Sequence, residues 1–479
     1  MSVAATLAWW CHLAALAGLA AYALHRLRLI GWARRPLAAV PAVGAAVPVV
    51  TVQLPIFNER AVARRVIAAA CRLDWPRDRL EIQVLDDSTD DTRALCAAEV
   101  AAQRAAGVDV VHLHRAERVG WKAGALDAGR AVARGELHAV FDADFVPPPD
   151  FLRATVGAFA DPQVGLVQAR WDHLNRDASL LTQLQALLLD GHFAIEQRGR
   201  AAAGACFNFN GTAGVWRASA IAAAGGWQAD TLTEDLDLSY RAALAGWRFV
   251  YAADVRAPAE LPADLLAFKA QQFRWAKGSI ECARKLAAPT VRARWPWRHR
   301  LEALFHLTHN LPYLLTLVML VAGGAAVALG HAPTWAPWVH AVSATTTVVV
   351  LGAFVTSARG LRLASLVRVP ALVALTAGLA VSQSRAIVLG AIGRVTPFER
   401  TPKDGSIGAS PTPRRYRAAS TGVAAVELLL AAYLAACAAI AIARGAPVAG
   451  ALCAWLTLGV AAVGVASVRA QRDRATTPG

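Results

Sequence analysis

The chain has 479 residues, 56% of them hydrophobic, with a formal net charge of +15 and a mean hydropathy of +0.38. That balance is too apolar for a simple soluble enzyme, and the length allows two or more domains. The basic residues stand beside apolar segments, at His25–Arg28, Arg34–Arg35, Arg292–Arg300, Arg359–Arg368 and Arg414–Arg417, which follows the positive-inside bias of membrane proteins and argues against nucleic-acid binding.

In chain order, Ala4–Leu24 is an apolar stretch whose only ionisable group is His12, with basic residues directly after it. Its length predicts a retained transmembrane anchor over residues 1–30, N-terminus outside. From Pro48 onward, short apolar or β-branched runs at Val49–Leu54, Ile82–Leu85, Val108–Leu113, Leu137–Phe141 and Val164–Gln168 alternate with helical periods at Glu59–Leu73, Asp91–Ala106, Lys122–Ala133 and Pro149–Ala160. Such alternation predicts an α/β, Rossmann-like and mostly parallel sheet in a cytoplasmic domain spanning 45–290. Residues 300–470 return to lipid, with spans expected at Leu311–Leu329, Trp338–Phe354, Val423–Ile442 and Ala449–Val468. Val369–Ile392 is expected to dip into the bilayer or lie along its cytoplasmic face, because a further span would put the basic loop near 394–418 outside. The seven cysteines are an odd count without a C-x-x-C pair, so no disulfide framework or structural zinc site is expected.

Four clusters carry chemistry: Leu85–Thr92 (LDDSTDDT), Val140–Asp144 (VFDAD), Thr233–Asp235 (TED) and Gln271–Trp275 (QQFRW). Ligands of open α/β sheets bind beyond the carboxyl ends of the strands, and both LDD and VFDAD stand there. Asp142 and Asp144 supply the oxygen ligands that Mg²⁺ or Mn²⁺ prefers, with substrate phosphates completing the shell; the same pair is also compatible with an Asx turn. Ser88–Asp91 suits a helix cap, which leaves Asp86 or Asp87 for a nucleotide base or ribose. Glu234 and Asp235 fit a capped helix start, yet Asp235 is also suited to take the proton of an attacking hydroxyl. Gln271, Arg274 and Trp275 share a helix face, where an indole offers a surface for a sugar ring and a guanidinium a fork for diphosphate oxygens. Lys122, at a helix start, suits a diphosphate as well. Each cluster alone also reads as capping, or as an amphipathic interfacial helix. Their order is far more specific than any member.

This set resembles glycosyltransferase family 2, in its membrane-integrated, cellulose-synthase-like branch. LPIFNE (Leu54–Glu59) followed by LDWPRDRLEIQVLDDSTDDT (Leu73–Thr92) looks most like glucomannan-synthase-type and related bacterial enzymes, and FERTPKDG (Phe398–Gly405) resembles a cytoplasmic loop of bacterial members. The resemblance implies a GT-A fold and a hexosyltransferase in a bacterial inner membrane with its catalytic domain cytoplasmic. It implies inverting transfer from a UDP- or GDP-sugar to a growing β-linked polysaccharide, coupled to export; a membrane lipid is the alternative acceptor. By the same resemblance Asp86 or Asp87 holds the nucleoside, Asp142 and Asp144 the metal and donor, Asp235 with Glu234 the catalytic position, and Gln271, Arg274 and Trp275 the acceptor and diphosphate. Accessory subunits are compatible with it, nucleic acid is not a partner, and a tail this short after Val468 leaves no room for a cyclic-di-GMP-binding domain. A transporter with a nucleotide-binding module is the remote alternative; against it, no Walker-type glycine loop is seen and the spanning segments carry few ionisable groups.

Overall fold

The computed structural model describes residues 3–329, 350–355, 363–396, 405 and 423–475. Strands β1 (Val50–Ile56) and β2 (Leu80–Asp86) are buried at every position, as near-continuous apolar runs covered on both faces require. β3 (Val110–His114) and β4 (Leu137–Val140) flank them, and β1 to β4 are mutually parallel where they pair. β5 (Val164–His173), β6 (Gly214–Arg217) and β7 (Arg248–Ala259) complete a seven-stranded sheet of order β3-β2-β1-β4-β6-β5-β7. Only β6 is antiparallel to its neighbours, so the carboxyl ends of β1, β2, β4, β5 and β7 share one edge.

The sequence pattern anticipates β1 to β5 and not β6 or β7. β6 is four residues long and follows the Gly-containing loop Asn208–Ala213, so it shows no periodicity. β7 is an edge strand, carries Pro258 near its end and slips register against β5, all of which blur alternation.

The helices in chain order are α1 (Val3–Ala33), α2 (Ala63–Ala70), α3 (Thr92–Ala105), α4 (Trp121–Val132), α5 (Phe151–Thr155), α6 (Leu180–Gly191), α7 (Arg198–Ala202), α8 (Ala218–Ala223), α9 (Glu234–Leu244), α10 (Leu265–Arg292), α11 (Trp297–Leu307) and α12 (Leu311–Ala328). One sheet face packs on α2, α3 and α5 through Val66, Ile67, Cys96, Val100 and Phe151. The other packs on α4, α8 and α9 through Leu126, Ile221 and Leu238. Trp216 of β6 is fully buried, with Phe209 and Phe249 edge-on at 5.9 and 5.7 Å. Trp216→Ala is expected to cost about 3–5 kcal/mol, read as a melting temperature roughly 10 °C lower.

Five described helices are long and apolar enough to cross a bilayer: Val3–Ala33, Leu311–Ala328, Ser365–Ala391, Ala424–Ala443 and Pro447–Arg469. α1 and α12 lie antiparallel, tied by Tyr22 donating to Thr308 O at 3.0 Å and by His12 Nδ1 at 3.1 Å from Met319 O. Most of the expected span Trp338–Phe354 and most of Phe398–Gly405 fall outside the described residues.

Val369–Ala391 is one uninterrupted helix. Its first turn packs Val369 and Leu372 on Leu184 and Leu187 of α6. Its last turn reaches α10, where a Cβ on Gly390 would stand 2.8 Å from Lys277 O. Further on, Gly405 N–H donates to Glu260 at 3.1 Å. The middle of this helix packs Ala377 and Val381 against Leu320, Leu430 and Val460 of the other apolar helices, and its length and composition put it among the five that can cross a bilayer.

Candidate active site

The strand ends open into a cleft lined by Asp87, Lys122, Asp142, Asp144, Glu234 and Asp235, with Gln271, Arg274 and Trp275 of α10 along one side. A second cavity continues toward the apolar helices, lined by His192, Glu196, Phe268, Gln272, His309 and Tyr313 among others. Asp235, Gln271 and Trp275 line both, as do Trp171 and Asn210. The wall between the two spaces thus carries a carboxylate and an indole together.

Lys122 is the electrostatic centre of the cleft. As a residue of the first turn of α4 it reaches Asp142 Oδ1 at 2.6 Å, Gly211 O at 2.7 Å and Glu234 Oε1 at 3.8 Å. Burial works against its ammonium, but Asp142 and Glu234 outweigh burial and hold it protonated above the usual lysine range. Gly211 sits at φ +79, and a Cβ there would press to 3.2 Å from Asp235 and 3.3 Å from Lys122. Only glycine adopts this backbone without strain and leaves room for both side chains.

Asp235 is the second residue of α9, and its Oδ1 accepts the Leu236 N–H at 2.8 Å. Burial, then the neighbouring Glu234 carboxylate, push its pKa up to about 7, with Lys122 opposing. Glu234 is raised as well, mainly by burial. A carboxylic acid poised near neutrality at the wall of a cavity is what a general base requires.

Asp86 and Asp87 divide. Asp87 lines the cleft and is gripped by Arg115 through two bonds, of 2.7 and 2.6 Å. Asp86 is fully buried and does not line the cleft. Its Oδ1 accepts the Ser88 N–H at 2.8 Å and its Oδ2 stands 2.8 Å from His112 Nε2. Burial alone would raise its pKa, but the bonds from His112 and Ser88 hold it below the usual carboxylate range. Of the two alternatives, Asp86 or Asp87, β2 places Asp86 inside the sheet, where it braces the turn that presents Asp87 to the cleft.

Asp142 and Asp144 both line the cleft. Among the described residues no group of three His, Cys, Asp or Glu side chains surrounds one point. Two carboxylates facing a cleft fit Mg²⁺ or Mn²⁺ of the kind whose remaining ligands are substrate phosphates and water.

Sequence reasoning passes over several lining residues. Phe57 follows β1 and carries Arg118 stacked over its ring at 3.5 Å. Glu260 follows β7, paired with Arg65, which also donates to Asp144 O at 3.3 Å. Arg115 and Arg118 follow β3. All stand just past a strand's carboxyl end, so the rule that points to LDD and VFDAD would have pointed to Phe57, Arg115 and Arg118 too. Arg115→Met leaves the Asp87 carboxylate without its two-bond partner and is expected to cost about 1–3 kcal/mol of stability, read as a lower melting temperature.

Residues 48–278 match the family model described as "Glycosyltransferase like family 2". Over 251 residues the chain is 49% identical to Glucomannan 4-beta-mannosyltransferase 2 of Arabidopsis thaliana, a match covering 51% of this chain and 47% of that protein. Over 288 residues it is 44% identical to Probable glucomannan 4-beta-mannosyltransferase 3 of Oryza sativa subsp. japonica, covering 57% and 52%. The chain thus spans about half the length of the curated relatives it matches. These relatives are plant proteins and lend no support to a bacterial origin. A mannosyltransferase from Pyrobaculum calidifontis, solved in complex with GDP-Man and Mn²⁺, superimposes with a TM-score of 0.52 at 22% identity, covering 74% of this chain and 96% of that one. With the seven-stranded sheet and the cleft at its carboxyl edge, these likenesses show the GT-A fold, and the match to the glycosyltransferase family 2 model takes in residues 48–278, just under half of the chain.

Proposed function

We propose that the chain is a membrane-embedded inverting hexosyltransferase that moves a hexose from a nucleoside-diphosphate sugar to a β-linked glycan. Of the two donors the sequence leaves open, GDP-mannose is favoured over UDP-glucose by the names of the plant relatives and the GDP-Man complex of the archaeal structure. The observation that carries this reading is that Asp235 and Trp275 line both cavities, while Asp142, Asp144 and Lys122 line only the one on the sheet side. Donor and acceptor can then meet at one carboxylate.

In this reading Asp87 and the Phe57–Arg118 stack receive the nucleoside, and Lys122 and Arg274 face the diphosphate. Asp142 and Asp144 hold Mg²⁺ or Mn²⁺, which when bound supplies further positive charge against the leaving diphosphate. Trp275 stacks the acceptor sugar. Asp235 takes the proton of its hydroxyl, which attacks the anomeric carbon from the side opposite the diphosphate; the C–O bond to the diphosphate breaks as the new glycosidic bond forms, and configuration inverts. Glu234 keeps Asp235 basic enough for this task by repelling its negative form.

The basic residues flanking the apolar helices, and Gly405 reaching Glu260, support a cytoplasmic position for the sheet. The apolar helices beside the second cavity favour a lengthening chain that leaves through the bilayer. Protein purified into lipid nanodiscs and given radiolabelled GDP-mannose or UDP-glucose tests the proposal. A labelled polymer sensitive to a β-mannanase is the expected result. Label recovered only in a lipid extract replaces the acceptor with the lipid alternative, and no turnover of either donor refutes the reading.

A further inference from the structure

Away from the cleft, three helices meet at one buried charge. Lys269 of α10 is 4% exposed and Glu427 is fully buried. Lys269 donates to Glu427 Oε1 and, at 2.8 Å, to Ser467 Oγ, and Ser467 donates to Glu427 Oε2 at 2.9 Å. Glu427 stands in the first turn of the helix Ala424–Ala443, which carries no other charged residue. Ser467 belongs to the helix Pro447–Ala475, and Gly464 lets these two helices touch: a Cβ there would lie 2.9 Å from Leu428 and 3.3 Å from Glu427 Cβ.

A carboxylate in an apolar helix is costly unless paired. An apolar trio of similar volume would bind the helices at least as well, so adhesion alone does not account for the pair. What the pair adds is direction, since the three hydrogen bonds fix the depth and rotation of α10. Lys269 precedes Gln271 by two residues. On the far side of Trp275, Lys277 is 1% exposed and reaches Glu281 at 3.0 Å and Thr396 at 2.8 Å. Gln271–Trp275 is therefore bracketed by two buried lysines, each tied to residues beyond the sheet. The carboxylates and Lys122 of the sheet side stand on other elements and do not depend on this clamp.

We propose that Lys269 and Glu427 are positioning residues for the acceptor, holding Gln271 and Trp275 at the wall shared by the two cavities. The proposal rests on the glycosyltransferase reading above. Full-length protein in nanodiscs would carry Glu427→Gln, Lys269→Met, the exchange Lys269→Glu with Glu427→Lys, or the charge-keeping Lys269→Arg. Either single charge removal is expected to raise the Michaelis constant for β-1,4-mannohexaose by roughly tenfold to a hundredfold. Affinity for GDP by calorimetry falls by less than the acceptor constant rises, because Arg274 alone of the diphosphate-facing groups lies on the clamped stretch, and the retained binding shows that the variants are folded. Lys269→Arg or the exchange restores the acceptor constant. Hydrogen exchange over Leu265–Trp275, measured without substrate, quickens in the single variants and slows again in the restored ones. An unaltered acceptor constant in both single variants overturns the positioning role, as does a loss of GDP affinity equal to the loss of acceptor affinity. A wild-type protein that turns over neither GDP-mannose nor UDP-glucose overturns the glycosyltransferase reading, and this proposal with it.

Discussion

Asp235→Asn is expected to lower glycosyl transfer by about 10²–10⁴-fold, the usual contribution of a positioned base, while GDP still binds. Asparagine keeps the shape of the side chain and the bond from Leu236 N–H but accepts no proton. In the parent protein the carboxyl is raised to about 7 by burial and by Glu234, and only its ionised form acts as a base. Turnover should therefore climb with pH up to about 7 and level off above it. Glu234→Gln should move that limb to lower pH by removing the repulsion. The same shift has a cost in stability. An unfolded Asp loses its proton near pH 4, whereas the folded carboxyl keeps it to about 7. Folded protein thus binds more protons across this window, and its stability falls as pH rises through it. The Asn variant lacks that penalty, so it should melt several degrees above the parent at pH 8, with the difference fading toward pH 4. An Asn variant that retains full transfer would refute the assigned base, and a melting difference that grows toward pH 4 would refute the raised pKa.

Asp144→Asn and Asp142→Asn should each cost about 10³-fold in turnover, because positive charge set against a leaving diphosphate is worth several kcal/mol. Chelation by EDTA should silence the parent protein, and Mn²⁺ or Mg²⁺ should revive it without reviving Asp144→Asn. The two substitutions should differ in one respect. Asp142 is the closest partner of Lys122, so its loss also leaves a buried ammonium with weaker compensation and should lower the melting temperature more than loss of Asp144. Full activity in EDTA would instead assign the leaving-group charge to Lys122 and Arg274 alone.

Much of this site is legible before any coordinates. Hydrophobic runs alternating with helical periods announce a parallel sheet, and acidic residues directly after two of those runs mark its binding edge. Asp142 and Asp144 meet in the cleft as the pattern suggests, and α10 carries Gln271, Arg274 and Trp275 on one side of it. The pattern fails where a strand is short or at the edge, as with β6 and β7. It fails again for adjacent carboxylates, since alternation along a strand sends neighbours to opposite environments and the letters do not say which is inside. Asp86 and Asp87 are that case. The Arg115 clamp, the Gly405–Glu260 contact and the Lys269–Glu427–Ser467 knot join residues from 28 to 198 positions apart, beyond any local period.

By itself the chain's order of residues determined the class of fold, the membrane flanks and the types of group available for catalysis, because periodicity and strand-end chemistry act over a few residues. Only the tertiary structure decided that Asp87 and not Asp86 faces the cleft and where the two cavities share a wall. It also set how far burial shifts Asp235, because desolvation and pairing depend on every element that closes around a group.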